Sequence, residues 1–354
     1  MGGVRALPVD VPIVLGPFGG LSSVELTATV SELGGLGSFG LYGYDAERIE
    51  RTVTALRKRT TAPFALNLWL PRGDELSPYD SEASFAAAVE ALRPVFDELS
   101  LELPDRPARY VPPFDEQIEA VLEARPAVVS FVFGVPPRPV VDAAHERGIV
   151  VVGTATTVAE GLALQEGGVD VVVGTGMEAG GHRVSFLRAA EDSLVGLVAL
   201  IPQLVDALDV PVIAAGGIAD RRGVAAARAL GAAGVQVGTA FLRTSVSAAT
   251  AEHRAAIVAT PADGTVLTRA MSGRLGRGVP NRVLRQIEAS RVVAPFPVQN
   301  WLTGRFRTVA SERGVADLQG FWAGQASLLT RDRADAESVF AELAAGLSVP
   351  PRAP

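Results

Sequence analysis

The sequence predicts an α/β fold, a (β/α)8 TIM barrel with a C-terminal helical cap subdomain, and three observations predict it. Eight short β-branched runs alternate with amphipathic stretches rich in Ala, Leu and Arg. Thirty-seven glycines punctuate that alternation at a regular beat. From Ser245 onward the strand beat stops and helical patterns take over. The barrel is expected over residues 1–244, a cap that shapes the substrate pocket over 245–334, and a last helix and tail over 335–354.

Pro12–Leu15 opens the barrel as its first strand, and Ser23–Leu33 follows as helix. Leu36–Phe39 and Pro63–Leu68 are the next strands, with a helix over Asp45–Arg59 between them. A proline-rich excursion over Leu70–Val111 carries a helical stretch near Ser84–Leu99. Helix Asp115–Glu123 leads to strand Ala127–Phe131, and helix Val140–Arg147 to strand Ile149–Gly153. Val158–Glu166 and Leu194–Ala207 flank strand Val169–Val173. Val210–Ala214 and Gly234–Val237 complete the eight, with helix Asp220–Leu230 between them. Buried-type strands joined by helices pair in parallel with both faces covered, and eight such units are the count of this barrel. A doubly wound open sheet is the competing arrangement. In the cap, Ala248–Val258, Gly304–Gly314, Leu318–Leu329 and Asp335–Leu347 read as helices. Thr265–Arg285 is Gly/Arg-rich, Pro295–Thr303 reads as a loop, and Pro350–Pro354 as a disordered tail.

The chain of 354 residues contains no cysteine. That excludes a disulfide scaffold, a Cys-ligated zinc, an iron–sulfur cluster and a thiol nucleophile. The formal charge of −7 speaks against nucleic acid as a partner. No apolar run approaches the ~18 residues of a spanning helix, and the first ten residues lack a signal core. The expectation is a soluble, cytoplasmic protein acting on a small molecule, as a monomer or homodimer. Lys58 is the one lysine, so a Schiff-base aldolase is a poor reading.

In this barrel chemistry sits on loops leaving the C-terminal ends of the strands. Gly216 and Gly217 follow the seventh strand, and Gly238 and Thr239 follow the eighth. Small residues there open backbone N–H groups to a phosphate. After the sixth strand comes GTGMEAGGHR at 174–183, whose glycines deliver one imidazole, His182, to the mouth of the barrel. Of the two other histidines, His145 reads as a helix C-cap and His253 as a surface residue of a polar helix. Glu178 reads as a solvated loop carboxylate, with orientation of the loop or the imidazole as the other reading. Gly35–Gly40 spells G-x-G-x-x-G but straddles a strand instead of opening a helix, so it is not read as a dinucleotide site. There is no metal-ligand set and no G-x-S-x-G elbow.

GMEAGGH at 176–182 resembles the signature loop of the nitronate monooxygenases, formerly called 2-nitropropane dioxygenases. The likeness spans most of the chain. PIVLGPFGGLSSVELTATVSELGGLG at 12–37 is similar to the family's opening strand, turn and helix. PFALNL at 63–68 and VVSFVFGVP at 128–136 resemble its third and fourth strands. AAGGIAD and GTAFL resemble its phosphate loops; SGRLGRGVPN, PFPVQNWLT and FWAGQ resemble its late bacterial motifs.

The resemblance implies non-covalent FMN and oxidation of alkyl nitronates, such as propionate 3-nitronate, by O2 to a carbonyl compound and nitrite. It implies that His182 is the catalytic base or anion-holding group beside the flavin. Gly16, Pro17, Phe18, Asn67, Thr175, Gly180 and Gly181 would line the ring, and Gly216, Gly217, Gly238 and Thr239 would hold the phosphate. One phosphate site and no Rossmann unit favour FMN over FAD.

The chain departs from the family pattern at Thr175, where Gln is usual, and at Val184, where Gly is usual. It departs also at Gly16 and Phe18 in the opening turn, and at Val246, near which a Glu often stands. FMN-dependent enoyl-acyl-carrier-protein reductases and NADH:quinone reductases share the A-G-G-H loop, so an FMN-dependent NAD(P)H reductase is the alternative. A flavin-free phosphate-binding barrel and a non-enzymatic binding barrel stand behind it. The PFPVQN and WAGQ motifs favour nitronate oxidation.

Overall fold

The computed structural model describes residues 6–71, 81–330 and 334–348. The tail at 350–354 lies outside the described residues. Strands are β1 (Ile13–Leu15), β2 (Gly37–Gly40), β3 (Phe64–Trp69), β4 (Val128–Val132), β5 (Val150–Ala155), β6 (Val171–Thr175), β7 (Gly181–His182), β8 (Val212–Ala215), β9 (Gly234–Val237), β10 (Val266–Thr268), β11 (Gly276–Val279) and β12 (Phe321–Trp322). Helices are α1 (Val24–Glu32), α2 (Ala46–Arg59), α3 (Glu82–Glu98), α4 (Phe114–Ala124), α5 (Arg138–Glu146), α6 (Val158–Glu166), α7 (Leu197–Ala207), α8 (Arg221–Ala229), α9 (Thr239–Leu242), α10 (Ala251–Ala259), α11 (Arg282–Ser290), α12 (Val298–Glu312) and α13 (Ala336–Ala345).

Eight strands pair in parallel in the order β1-β9-β8-β6-β5-β4-β3-β2. A bridge between Val14 and Leu36 brings the two ends together, so the sheet is a barrel and not an open doubly wound sheet. Successive side chains on a strand point to opposite faces, and the two parities build two cores. Val14, Ala65, Val128, Val150, Val152, Val171, Val173 and Ile213 fill the barrel interior. Their neighbours Ile13, Leu66, Val129, Val151, Val172 and Ala214 pack outward against the helices. That is why the strands read as unbroken apolar runs.

Near the C-terminal ends the inward parity changes character. Asn67 and Trp69, Ser130, Thr154, Thr175, Ala215 and Gln236 take the inward places above the apolar layers, and all line one cavity. The G-x-G-x-x-G glycines serve packing. A Cβ on Gly35 would meet Phe340 at 2.6 Å, and one on Gly37 would overlap the Thr27 carbonyl at 1.9 Å.

A second core lies over the mouth. Phe85, Leu92 and Phe96 of α3 pack with Leu284 and Ile287 of α11 and with Leu302 and Phe306 of α12. The excursion after β3 therefore contributes to the same body as the late helices. α13 returns to the barrel, where Val339, Phe340 and Leu343 join the main core.

Three readings of the late region need correction. Pro295–Thr303 is not a loop throughout, because α12 starts at Val298; Gln299 donates to Ala270 O and Thr303 to Met271 O, which seats that first turn. Leu318–Leu329 is not one helix: β12 runs through it, followed by a 3-10 turn. The strand beat also does not stop outright, since β7, β10, β11 and β12 form a small antiparallel sheet. Its strands are two to four residues long, too short for alternation to register. Among the described residues no helix is long and apolar enough to cross a membrane.

Candidate active site

The mouth of the barrel and the second core enclose a cavity of about 490 Å³, within the range of small-molecule and cofactor sites. Gly16, Pro17, Phe18, Asn67, Thr175, Gly180, Gly181, His182, Gly216, Gly217, Gly238 and Thr239 all line it. Residues far apart in sequence thus converge on one place. Arg307 is the one charged side chain among the described lining residues, and no carboxylate faces the space.

Backbone geometry explains the glycines of the mouth. Gly216 and Gly217 have φ of 107° and 68°, a region that side chains disfavour. A Cβ on Gly16 would sit 3.1 Å from Gly238 Cα, so β1 and β9 end in close contact. FWAGQ laces this region together. Gly324 N–H donates to Thr239 Oγ1 at 2.9 Å, and Gln325 N–H to Glu178 O at 2.9 Å. A Cβ on Gly180 would strike Ala323 C at 2.6 Å. The signature loop, the Thr239 turn and the 323–325 segment therefore form one layer.

His182 stands on β7, paired with Gly276 of β11. Its Nε2 lies 2.7 Å from Ser272 Oγ. In the tautomer we assign, the Ser272 hydroxyl donates to Arg274 O at 3.1 Å, its oxygen accepts from His182 Nε2–H, and the neutral ring's lone pair is on Nδ1. Four aromatic rings surround the imidazole: Trp69 and Trp322 with centroids at 5.1 Å, Phe296 at 6.3 Å and Phe133 at 6.4 Å. Burial, with a smaller push from Arg307, pulls the His182 pKa down to about 4. At neutral pH the ring is a neutral acceptor, not a standing cation.

The other readings of single residues change. His253 is buried, not on the surface; its Nε2 donates to Trp322 O at 2.8 Å and it lines the cavity. Its helix looks polar, but the cap covers that face. Burial brings its pKa to about 4 as well. His145 does not cap its helix with the ring; Nε2 meets Asp170 Oδ2 at 2.9 Å, at the N-terminal ends of β5 and β6, away from the mouth. Glu178 is not a solvated carboxylate. Both its oxygens accept from Leu197 N–H, at 2.9 and 3.1 Å, and so tie the signature loop to the start of α7. Asn67 Nδ2 donates to Ser130 Oγ at 3.0 Å and Ser130 O at 3.2 Å, which holds the amide across β3 and β4.

Site residues the motifs did not single out are Tyr42, Trp69, Ser130, Thr154, Gln236, Asn300, Arg307 and Trp322. For Ser130, Thr154 and Gln236 the signal was present in the period of two along each strand. For Tyr42 and Arg307 no local pattern exists, because the packing of the cap brings them in, and PFPVQNWLT contains Asn300 without marking its side chain as part of the site.

A family model for nitronate monooxygenases matches residues 4–346. The chain belongs to the nitronate monooxygenase family. It is therefore an oxidoreductase, from a family that is generally flavin-dependent. It is 39% identical over 338 residues to a nitronate monooxygenase of Pseudomonas aeruginosa, covering 94% of this chain and 95% of that protein. It is 37% identical over 328 residues to a probable nitronate monooxygenase of Staphylococcus saprophyticus, with 92% and 91% covered. Among solved structures, a nitroalkane oxidase from Streptomyces ansochromogenes superposes with a TM-score of 0.87 at 34% identity, covering 96% of each chain. FabK of Thermotoga maritima superposes less well, with a TM-score of 0.73 at 25% identity, covering 95% of this chain and 92% of that one.

The two buried histidines of this nitronate monooxygenase family member make its stability depend on pH. A free imidazole titrates near 6.5, and the folded values lie near 4. Between these values the unfolded chain binds more protons than the folded one, so stability is full above pH 6.5 and falls as pH drops toward 4. The melting temperature of flavin-free protein is expected to decline across that window. A His182→Asn, His253→Gln double variant should flatten the decline, and an equally steep one in that variant would refute the assignment.

Proposed function

We propose that this chain oxidises alkyl nitronates with O2, using non-covalently bound FMN, and releases a carbonyl compound and nitrite. The observation that carries this reading is the cavity wall: glycine turns after β8 and β9 and an anchored neutral imidazole, with no facing carboxylate among the described residues. Such a wall suits a phosphate-bearing cofactor and sets no negative charge against an anionic substrate.

The residues present fit FMN. The ends of β8 and β9 offer a glycine cradle in which only Phe18, at 3.6 Å, would approach a Cβ on Gly238. Gly216, Gly217, Gly238 and Thr239 would hold the phosphate. Gly16, Pro17, Phe18, Asn67, Thr175, Gly180 and Gly181 would line the ring. When bound, the flavin supplies the redox chemistry, taking electrons from the organic substrate. The protein binds, orients and moves protons. With a neutral nitroalkane, His182 Nδ1 would take the α-proton. A nitronate arrives without that proton, so the imidazole's proton-transfer role is then idle.

On this reading the enzyme works in the cytoplasm, as a monomer or homodimer. The NAD(P)H-linked alternative is separated by anaerobic mixing. Bleaching by propionate 3-nitronate but not by NADH or NADPH is expected, and the reverse pattern would make the chain a reductase.

A further inference from the structure

Arg307 is the unexplained group of the cavity. It lies on α12, half-buried, with Nε sealed from solvent and without a hydrogen-bond partner. Its Nη2 donates to Asn300 Oδ1 at 3.1 Å and to Asn300 O at 3.3 Å. Asn300 Nδ2 in turn donates to the Tyr42 hydroxyl at 3.2 Å. Glycines flank the guanidinium: a Cβ on Gly320 would meet Nη1 at 3.5 Å and one on Gly304 would meet Nη2 at 3.8 Å. A buried charge without an ion partner is costly, and no carboxylate of the described cavity wall offsets this one. An anionic ligand would.

The aromatic rings separate this cation from the imidazole. Tyr42 stacks on Trp69 at 4.4 Å, and Trp69 meets His182 at 5.1 Å. Phe296 touches the same two ends, 5.6 Å from Tyr42 and 6.3 Å from His182. Arg307 with Tyr42 and Asn300 thus stands at one end of this row of rings and His182 with Ser272 at the other, while the Arg274 guanidinium packs on Phe133 and Phe296 at 3.8 and 4.1 Å.

We infer that Arg307 binds a second, non-reacting anionic group of the substrate, a carboxylate, while the carbon bearing the nitro group lies at His182. The inference rests on the nitronate reading for its substrate, and what it adds is the residue that holds the acid end of a nitronate such as propionate 3-nitronate. Burial brings the guanidinium pKa down to about 10, so it stays charged at neutral pH.

The test compares propionate 3-nitronate with propyl-1-nitronate in wild type, R307Q and R307K. R307Q should raise KM for the acid by about 10- to 100-fold, the span of a charge-assisted hydrogen bond. KM for propyl-1-nitronate, and kcat for both, should stay within about threefold of wild type, and R307K should recover part of the loss. An equal rise for both nitronates would put Arg307 on the reacting group and overturn the inference. So would loss of the flavin.

Calorimetry with succinate, which has no nitro group to oxidise, gives an answer independent of turnover. Succinate should bind wild type and bind R307Q at least about tenfold more weakly; equal binding overturns the inference. Wild type that oxidises neither nitronate yet binds succinate through Arg307 would refute the nitronate reading and leave the carboxylate site standing.

Discussion

His182→Asn is expected to cut turnover of neutral nitroalkanes by about 10²- to 10⁴-fold, the usual contribution of a positioned base. With the Ser272 hydroxyl donating to Arg274 O, Nε2 is the donor nitrogen and the lone pair is on Nδ1; in either tautomer Asn has no basic atom to replace it. Turnover of preformed nitronates should fall less than about tenfold, since no proton needs removal. The acid limb of the nitroalkane pH profile should lie near the folded pKa of about 4, below that of a free imidazole. FMN content should be unchanged, because the loops proposed for the phosphate follow β8 and β9, away from β7. Steady-state kinetics on both substrate forms checks this; wild-type rates on both would remove His182 from the chemistry, and a colourless variant would make it structural.

The barrel was legible because its physics is local. Valine-rich strands such as Val171–Val173 must be buried on both faces, and β6, β8 and β9 run straight into Gly176, Gly216 and Gly238 where the mouth begins. The signature loop was legible for a related reason. Gly180, Gly181 and the mouth glycines Gly216 and Gly217 hold conformations or contacts that side chains would spoil, so their composition announces them. The far wall was not legible. Tyr42 follows β2, Trp69 ends β3, and Asn300 and Arg307 come from α12; no periodicity joins them. Only the packing of α3 against α11 and α12 places α12 over the mouth. His253 failed for the same reason: an amphipathic reading judges a helix by its own residues, and the cover over α10 comes from Phe321 and Trp322, nearly 70 positions later. Glu178 shows the converse limit. Its carboxylate looks free in the sequence because its partner is a backbone N–H, which no side-chain pattern records.

Gly238→Val is expected to yield a folded, colourless protein. The position has φ −104° and ψ −77°, at the edge of the right-handed region and on the negative-φ side that side chains adopt. Gly216 and Gly217 do not share that freedom, so substitutions there would mix backbone strain with lost binding. At Gly238 an added Cβ meets only Phe18, at 3.6 Å, and the methyls beyond it are placed to compete for the space proposed for the phosphate. Filling a site with two methyl groups costs about 1–3 kcal/mol when the occupant cannot shift, which is about 10- to 100-fold in affinity. FMN should therefore be lost on purification and rebind weakly when added back, read by flavin fluorescence quenching. The melting temperature measured without flavin should match that of flavin-free wild type, which separates a blocked site from a damaged fold. Retention of stoichiometric FMN with wild-type affinity would move the phosphate away from the ends of β8 and β9, and with it the orientation proposed for the flavin over Asn67 and His182.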